Sequence, residues 1–553
     1  MGVTTGKREA ADRSEDIHAP DSGASQIILA VCAFASIVPL FCARHLPMSD
    51  LPEHLASMAT IRHYGDPTWK SAEYFTVAGM FETPYWAYHG VGALLTALMG
   101  SAERANLLML SIVGLAYPYA LRWLLVALRR DPRLAIFGSA LFWTTNMLVG
   151  LLNFIASIPL LFAALALVVR HAEAPNVRRW LGLAAITVAL FYLHLSSFAL
   201  FLLDAALLTW MLPVPTTEEP LLAELRRRLV RLPGRLLWSV PAVLLGLMVF
   251  LAGRTISHGQ GPGAIWKPRF DLVKGLFGWL FDCFKSRWDE VLGALLVLTL
   301  VVLLTSTGKR EQTFDERWRS RCVQILAAIA AIVWVASPSQ IGNNTALLEV
   351  RMAPYVALFA VMLPRVAPGR RATLSFAAAA ICALGLAVNT AWEVHGFERD
   401  DVAGFDELLR KMPHGKRLVM LNLQPQSTHV KSSVFSYFGS YYRARYGGVA
   451  SFSFSETSHW PVQYRPSHRP PSSMQWANPC LYNNEHDGAY FDYVLVRGER
   501  DPMASMPHGP RWELVGASRI WRLYQKSTTE PQLPPGDEPD PGPCGALASA
   551  QAR

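Results

Sequence analysis

Residues 134–169, LAIFGSALFWTTNMLVGLLNFIASIPLLFAALALVV, run between Arg133 and Arg170 without a charged side chain. A helical membrane span needs about 20 apolar residues, so this stretch is too long for one crossing. It reads as two, 134–150 and 152–169, turning near Gly150. The rest of the chain follows the same rule. It is 52% hydrophobic and only 17% charged, against about a quarter charged in ordinary soluble proteins. The charge is segregated: apolar stretches recur from Gln26 to Ala391, separated by short basic connectors, and the chain beyond Ala391 reads as soluble sequence.

The polar opening to Ser25 is followed by an apolar run, Gln26 to Ala43, with no A-x-A cleavage site, and this run reads as a retained span. Orientation comes from the arginine clusters by the positive-inside rule. Arg129, Arg130 and Arg133; Arg170, Arg178 and Arg179; Arg226, Arg227, Arg228 and Arg231; Lys309, Arg310, Arg317 and Arg319; and Arg365, Arg370 and Arg371 are all expected on the cytoplasmic side. All five clusters face inward only if Trp86 to Gly100, which follows Pro84 and carries Tyr88 and His89, is a re-entrant or interfacial helix.

The expected fold class is therefore an α-helical polytopic membrane protein of about eleven spans plus that helix, with a small C-terminal extracytoplasmic α/β domain. The spans are placed at 26–43, 104–127, 134–150, 152–169, 180–195, 197–213, 237–253, 289–306, 322–337, 353–366 and 372–391. The fifth and sixth meet at His194, Ser196 and Ser197, where one long kinked element is the alternative. The domain reading is a cytoplasmic disordered tail at 1–25, a membrane domain at 26–391, an extracytoplasmic α/β domain at 392–526 and a disordered tail at 527–553.

In the C-terminal part, Asp401 to Lys411 is amphipathic, and Lys416 to Leu423, Phe491 to Val496 and Trp512 to Tyr524 are strand-like. Ser451 to Tyr490 reads as a long irregular insert. The net charge of +9 does not mark a nucleic-acid binder, because the arginines flank apolar spans rather than cover one soluble face. Of the seven cysteines, none has C-x-x-C spacing, and Cys283, Cys480 and Cys544 fall outside, where a disulfide is chemically open but unassigned.

Four segments face outward: Arg44 to Pro84, the turn near Gly150, Arg254 to Trp288, and Ser337 to Met352. The first holds HLPMSDLPEHLASMATIRHYGDP, where Pro52 opens a short helix and Ser49 or Asp50 is an N-cap candidate. Beside the capping role stands a chemical one. Asp50, Glu53 and His54 cluster there, with Arg62 and His63 two turns on. A carboxylate suits a general base for a hydroxyl, and Arg and His suit a phosphate.

SDLPEH, the PYW at Pro84 and GLLNFIASIPL around Asn153, set in this layout, resemble the GT-C-type membrane glycosyltransferases, which use polyprenyl-phosphate-linked sugars. The resemblance implies that Asp50 is the catalytic carboxylate, with Glu53 and His54 as helpers. It also implies a polyprenyl-phosphate-linked sugar donor and an envelope glycan, lipid or protein acceptor, at a multi-pass inner (plasma) membrane with an inside N-terminus. Several such families carry an acid in the second outer turn. Here that turn offers only Asn146 and Asn153, which weighs against a divalent cation, and no metal ligand or cofactor is assigned.

Further outward polar groups are Glu82 and His89; His258, Lys267, Arg269 and Asp271; and Asn343, Asn344, Glu349 and Arg351. The substrate-binding candidates are Arg62, His63, Glu82, His89, Lys267, Arg269 and Arg351. The forked donors of Arg351 suit a lipid diphosphate, and snorkelling to headgroups is its bland alternative. Asp204, inside the sixth apolar stretch, needs a partner such as His194 or a cavity. Two other functions stay open: a lipid or glycolipid transporter or flippase, for which no internal repeat is found, and a non-catalytic membrane assembly protein.

Overall fold

The structure is a computed structural model that describes residues 23–215, 220–252, 264–306, 313–341, 345–457, 459–471, 479–503, 506, 508–528 and 544. Most of both expected disordered tails, with His258, Asn343 and Asn344, lie outside the described residues.

The helices in chain order are α1 (Gly23–Ile37), α2 (Leu51–Arg62), α3 (Trp86–Met99), α4 (Ala102–Ala127), α5 (Leu152–Glu173), α6 (Val177–Leu193) and α7 (Leu195–Met211). They continue with α8 (Leu221–Arg235), α9 (Val240–Leu251), α10 (Arg269–Phe281), α11 (Trp288–Thr305), α12 (Phe314–Ala336), α13 (Leu348–Val361), α14 (Arg370–Phe397) and α15 (Ser440–Tyr446). Their starts follow capping chemistry. Ser101 accepts the Arg104 N–H ahead of α4, Asn176 accepts the Arg179 N–H ahead of α6, and Thr313 with Glu316 forms a capping box on α12.

The chain is a multi-pass membrane protein: seven described helical segments are long and apolar enough to cross a bilayer. They are Gly23–Phe41, Ala102–Ala127, Leu152–Glu173, Leu221–Leu251, Trp288–Thr305, Phe314–Ala336 and Arg370–Val402. The expected count of about eleven is not reached, and four segments make the difference. α6 and α7 have 17 residues each and α13 has 14, and the stretch 134–150 is not one helix.

That stretch breaks into a 3₁₀ turn at Pro132–Ala135 and two short helices, Ile136–Ala140 and Thr145–Val149. The break falls where polar groups find partners outside the helix ladder. The Trp143 indole N–H donates to the Ser36 carbonyl at 2.8 Å, and the Asn146 amide donates to the Val350 carbonyl at 3.0 Å. Non-helical backbone is tolerated there because protein, not lipid, surrounds it. At the α6–α7 junction His194 is extended (φ −161°, ψ 123°), which makes two helices rather than one kinked rod.

α3 is about 21 Å long at 1.5 Å per residue, short of the roughly 30 Å hydrocarbon core. It is not among the seven.

The C-terminal region carries a five-stranded mixed sheet. The strand order is Val449–Ala450, Arg417–Asn422, Tyr493–Arg497, Trp521–Lys526, Trp512–Ser518. Arg417–Asn422 is parallel to both its neighbours, with Met420 opposite Leu495, and the last two pairings are antiparallel. The expected single strand Trp512 to Tyr524 is a hairpin that turns at Arg519, a residue at φ +52°. The expected helix Asp401–Lys411 is a π-turn at Glu398–Val402 and one short helix, Phe405–Leu409.

The Ser451–Tyr490 insert is packed rather than loose. Its strand Val462–Tyr464 pairs antiparallel with Phe75–Val77 of the first outer loop, and the buried Trp460 donates its indole N–H to Ser57 of α2 at 2.7 Å. A small antiparallel sheet of Ala264–Ile265, Gln340–Ile341 and Thr345–Ala346 joins the third and fourth outer loops. Cys480 and Cys544 form a disulfide, and Cys283 is a buried free thiol.

Candidate active site

The loop between α1 and α2 is fixed by its backbone. The Ser49 N–H donates to the Leu148 carbonyl at 2.8 Å and the Asp50 N–H to the Val149 carbonyl at 2.9 Å. Gly150 makes this contact possible. It sits at φ +86°, and a Cβ there would lie 2.8 Å from the Asp50 nitrogen.

Asp50 occupies the N-cap position of α2, and its carbonyl accepts the Glu53 and His54 N–H groups at 3.1 and 3.2 Å. Its side chain makes no cap hydrogen bond. The carboxyl is therefore not used by the helix, which removes the capping reading. Burial pushes it up to about 8, the Arg351 charge opposes that rise, the Glu53 charge adds to it, and a hydrogen bond with the Ser49 side chain lowers it.

Arg351 stands in the first turn of α13, behind Leu347, which holds a left-handed φ of +61°. One guanidinium nitrogen lies 3.4 Å from His194 Nε2, and Nε has no hydrogen-bond partner among the described residues. His194 Nδ1 meets the Ser196 hydroxyl at 2.8 Å. The Tyr85 ring lies between two imidazoles, with centroids 5.9 Å from His194 and 5.5 Å from His459. Burial and then the Arg351 charge depress His459 to about 4, so it is neutral at pH 7. The Tyr437 phenol is raised well above its ordinary value by burial and then by the Asp50 and Glu53 charges. Six separated pieces of chain thus supply one site: the first outer loop, the start of α3, the α6–α7 junction, the start of α13, the segment before α15 and the C-terminal insert.

The other expected residues have other employment. Glu53 is fully buried and held by four groups: it accepts from the hydroxyls of Ser440 and Ser453 and the Phe454 N–H, and pairs with the buried Arg443 at 3.4 Å. This web ties α2 to the C-terminal region and gives Glu53 structural work. His54 is buried between His89, 3.0 Å away, and the Gly150 carbonyl at 3.1 Å, and His89 also meets the Tyr85 carbonyl at 2.9 Å. Two neutral imidazoles carry two N–H groups for these three contacts. The pair braces the junction of α2, α3 and Gly150.

Arg62 is exposed, and His63 stacks on Trp69 with centroids 3.9 Å apart. His63 lines a separate cavity of about 610 Å³ with Leu51, Leu55, Ala59 and Tyr446. Glu82 accepts the Gly79 N–H at 2.8 Å. Lys267 is spent on the buried Glu349, 2.7 Å away, near the start of α13. Arg269 begins α10, and its side chain lies outside the described residues.

Sequence reading missed Tyr85, Tyr437 and His459 as site members and gave His194 the wrong partner. Tyr85 lay inside the PYW that it quoted. His459 and Tyr437 carried no local signal. Asp204 lies ten residues beyond His194, about 15 Å along α7, and both its oxygens lack a hydrogen bond among the described residues.

No family model matches the chain, and no curated protein matches it. The chain resembles the cryo-EM structure of arabinofuranosyltransferase AftD from Mycobacteria. The TM-score is 0.47 and the identity 15%, over 90% of this chain and 39% of that one. A mutant of AftD in a second class gives 0.44 and 14%, over 90% and 41%. The chain thus spans about two fifths of the length of these structures.

Proposed function

We propose that this chain is an integral-membrane glycosyltransferase of the GT-C type. It moves a sugar from a polyprenyl-phosphate donor to an acceptor hydroxyl on the outer face of the inner membrane. The observation that carries the reading is the Asp50 carboxyl, which is released from capping and lies within electrostatic range of Arg351. In this reading the acceptor oxygen attacks the anomeric carbon, the bond from that carbon to the donor phosphate breaks, and polyprenyl phosphate leaves. Asp50 takes the acceptor proton. Arg351, whose Nε has no hydrogen-bond partner among the described residues, offsets the charge growing on the phosphate.

His194 holds the guanidinium edge, and the neutral His459 and Tyr85 close the site against water. The reading assigns the region 392–526 to acceptor recognition, since its insert supplies His459. It keeps about eleven crossings, counting α6, α7, α13 and the broken 134–150 stretch, with the N-terminus inside.

The test is transfer from a panel of synthetic polyprenyl-phosphate sugars by the purified protein in vesicles. Turnover with one donor supports the proposal. A full panel with donor bound but no sugar moved onto glycan, lipid or protein acceptors contradicts it.

A further inference from the structure

The basic segment Leu221–Arg235, LLAELRRRLVRLPGR, does more than mark one side of the membrane. At about 100° per residue, Leu221, Leu232, Leu225, Leu236, Leu229 and Leu222 fall in that order on a single arc of about 100°. The five arginines lie off that arc. Two of them are fasteners. Arg228 donates to the Met211 carbonyl at 2.8 Å, and Arg235 donates to the Thr209 and Leu212 carbonyls at 2.7 and 3.1 Å. The Trp210 indole N–H donates back to the Leu225 carbonyl at 3.0 Å.

These contacts leave α8 from positions spread over Leu225 to Arg235, about 15 Å of helix, yet all land on Thr209–Leu212. Helix α8 therefore lies across the C-terminal end of α7 rather than alongside it. α7 is about 25 Å long and begins at the candidate site, so on the proposed reading that counts α7 as a crossing, α8 lies at the opposite surface of the membrane from Asp50.

No residue of α8 is buried. Leu222 is 82% exposed and Leu229 54%, and the exposed apolar surface continues into Leu237, Val240, Leu244 and Leu247 at the start of the following span. Arg226, Arg227 and Arg231 are exposed as well. An apolar arc continuous with a span, edged by arginines and held flat by backbone bonds, has the chemistry of an in-plane interfacial helix.

We propose that α8 docks into the leaflet opposite the candidate site and binds anionic phospholipid headgroups. The leucine arc enters the acyl boundary, and Arg226 and Arg231 take the phosphates. Charge complementarity and the continuity of the apolar surface with α9 identify a lipid surface as the occupant rather than a protein.

Amide hydrogen exchange on the full chain in nanodiscs tests this. In discs with one third phosphatidylglycerol, exchange in 221–232 is expected to be roughly tenfold slower than in pure phosphatidylcholine, and high salt should erase the difference. The double variant R226Q/R231Q should lose the lipid preference, and L222D should lose protection in both lipids. A native chain that exchanges equally in both lipids overturns the proposal. Fast exchange in both would leave the face to a protein partner, and slow exchange in both would make docking purely apolar.

Discussion

Two carboxylates one turn apart on the same helix have opposite employment. Asp50 sits at the mouth of α2, partly exposed and making no cap hydrogen bond, with Arg351 acting on it through charge. Glu53 lies beneath it, fully buried, holding Ser440, Ser453, Phe454 and Arg443. Charge and helix are shared, so surroundings decide which acid can accept a proton and which acts as a rivet. An acid held by four protein donors is structural. One left with a neighbouring hydroxyl and the charge of an arginine is poised for chemistry.

The largest expected effect separates the two. Asp50→Asn should lower turnover by roughly 10²- to 10⁴-fold, the range for losing a general base, with the unfolding midpoint unchanged. Arg351→Gln should lower kcat/KM for the donor by about 10- to 100-fold, as a charged hydrogen bond worth about 1.5–3 kcal/mol is lost. It should also move the rising, low-pH limb of the pH profile to higher pH, because the Arg351 charge is what favours the ionised carboxylate. Steady-state kinetics across pH checks both.

Glu53→Gln should do the reverse of Asp50→Asn. It leaves Arg443 buried beside a neutral amide, which costs on the order of 3–5 kcal/mol, and denaturation in detergent measures it. Gly150→Ala is expected to be smaller. The left-handed φ costs a side chain roughly 1–2 kcal/mol, and the new methyl displaces the Asp50 backbone, so activity should fall further than stability. Comparing the two readouts sharpens the claim that Gly150 positions Asp50.

Much of the membrane architecture was legible, because apolar length and arginine clusters are local signals. α1, α4, α5, α11, α12 and α14 lie where the apolar runs put them. The stretch 134–150 misled for a physical reason: its apolar length is that of a span, but Trp143 and Asn146 bond to Ser36 and Val350, which no window over the stretch contains. The site divides the same way. Asp50 stood out because it opens the SDLPEH segment after the first span, and Arg351 because its forked donors sit at an outward-facing span entrance. Glu53 and His54 share the SDLPEH motif, and only their distant partners, 35 to 401 positions away, give them structural work. His459 was invisible as a site residue, since its insert gains order from a pairing with Phe75–Val77 that sequence distance hides.

The most direct test of the central claim is single-turnover sugar transfer with donor already bound, in native protein and Asp50→Asn, from pH 6 to 9. A base whose pKa burial has raised is protonated at low pH, so the native rate should climb with pH and level off above about 8. The variant should be slow and flat. A variant that reproduces the native rate and its pH dependence would contradict the assignment of Asp50 as the base.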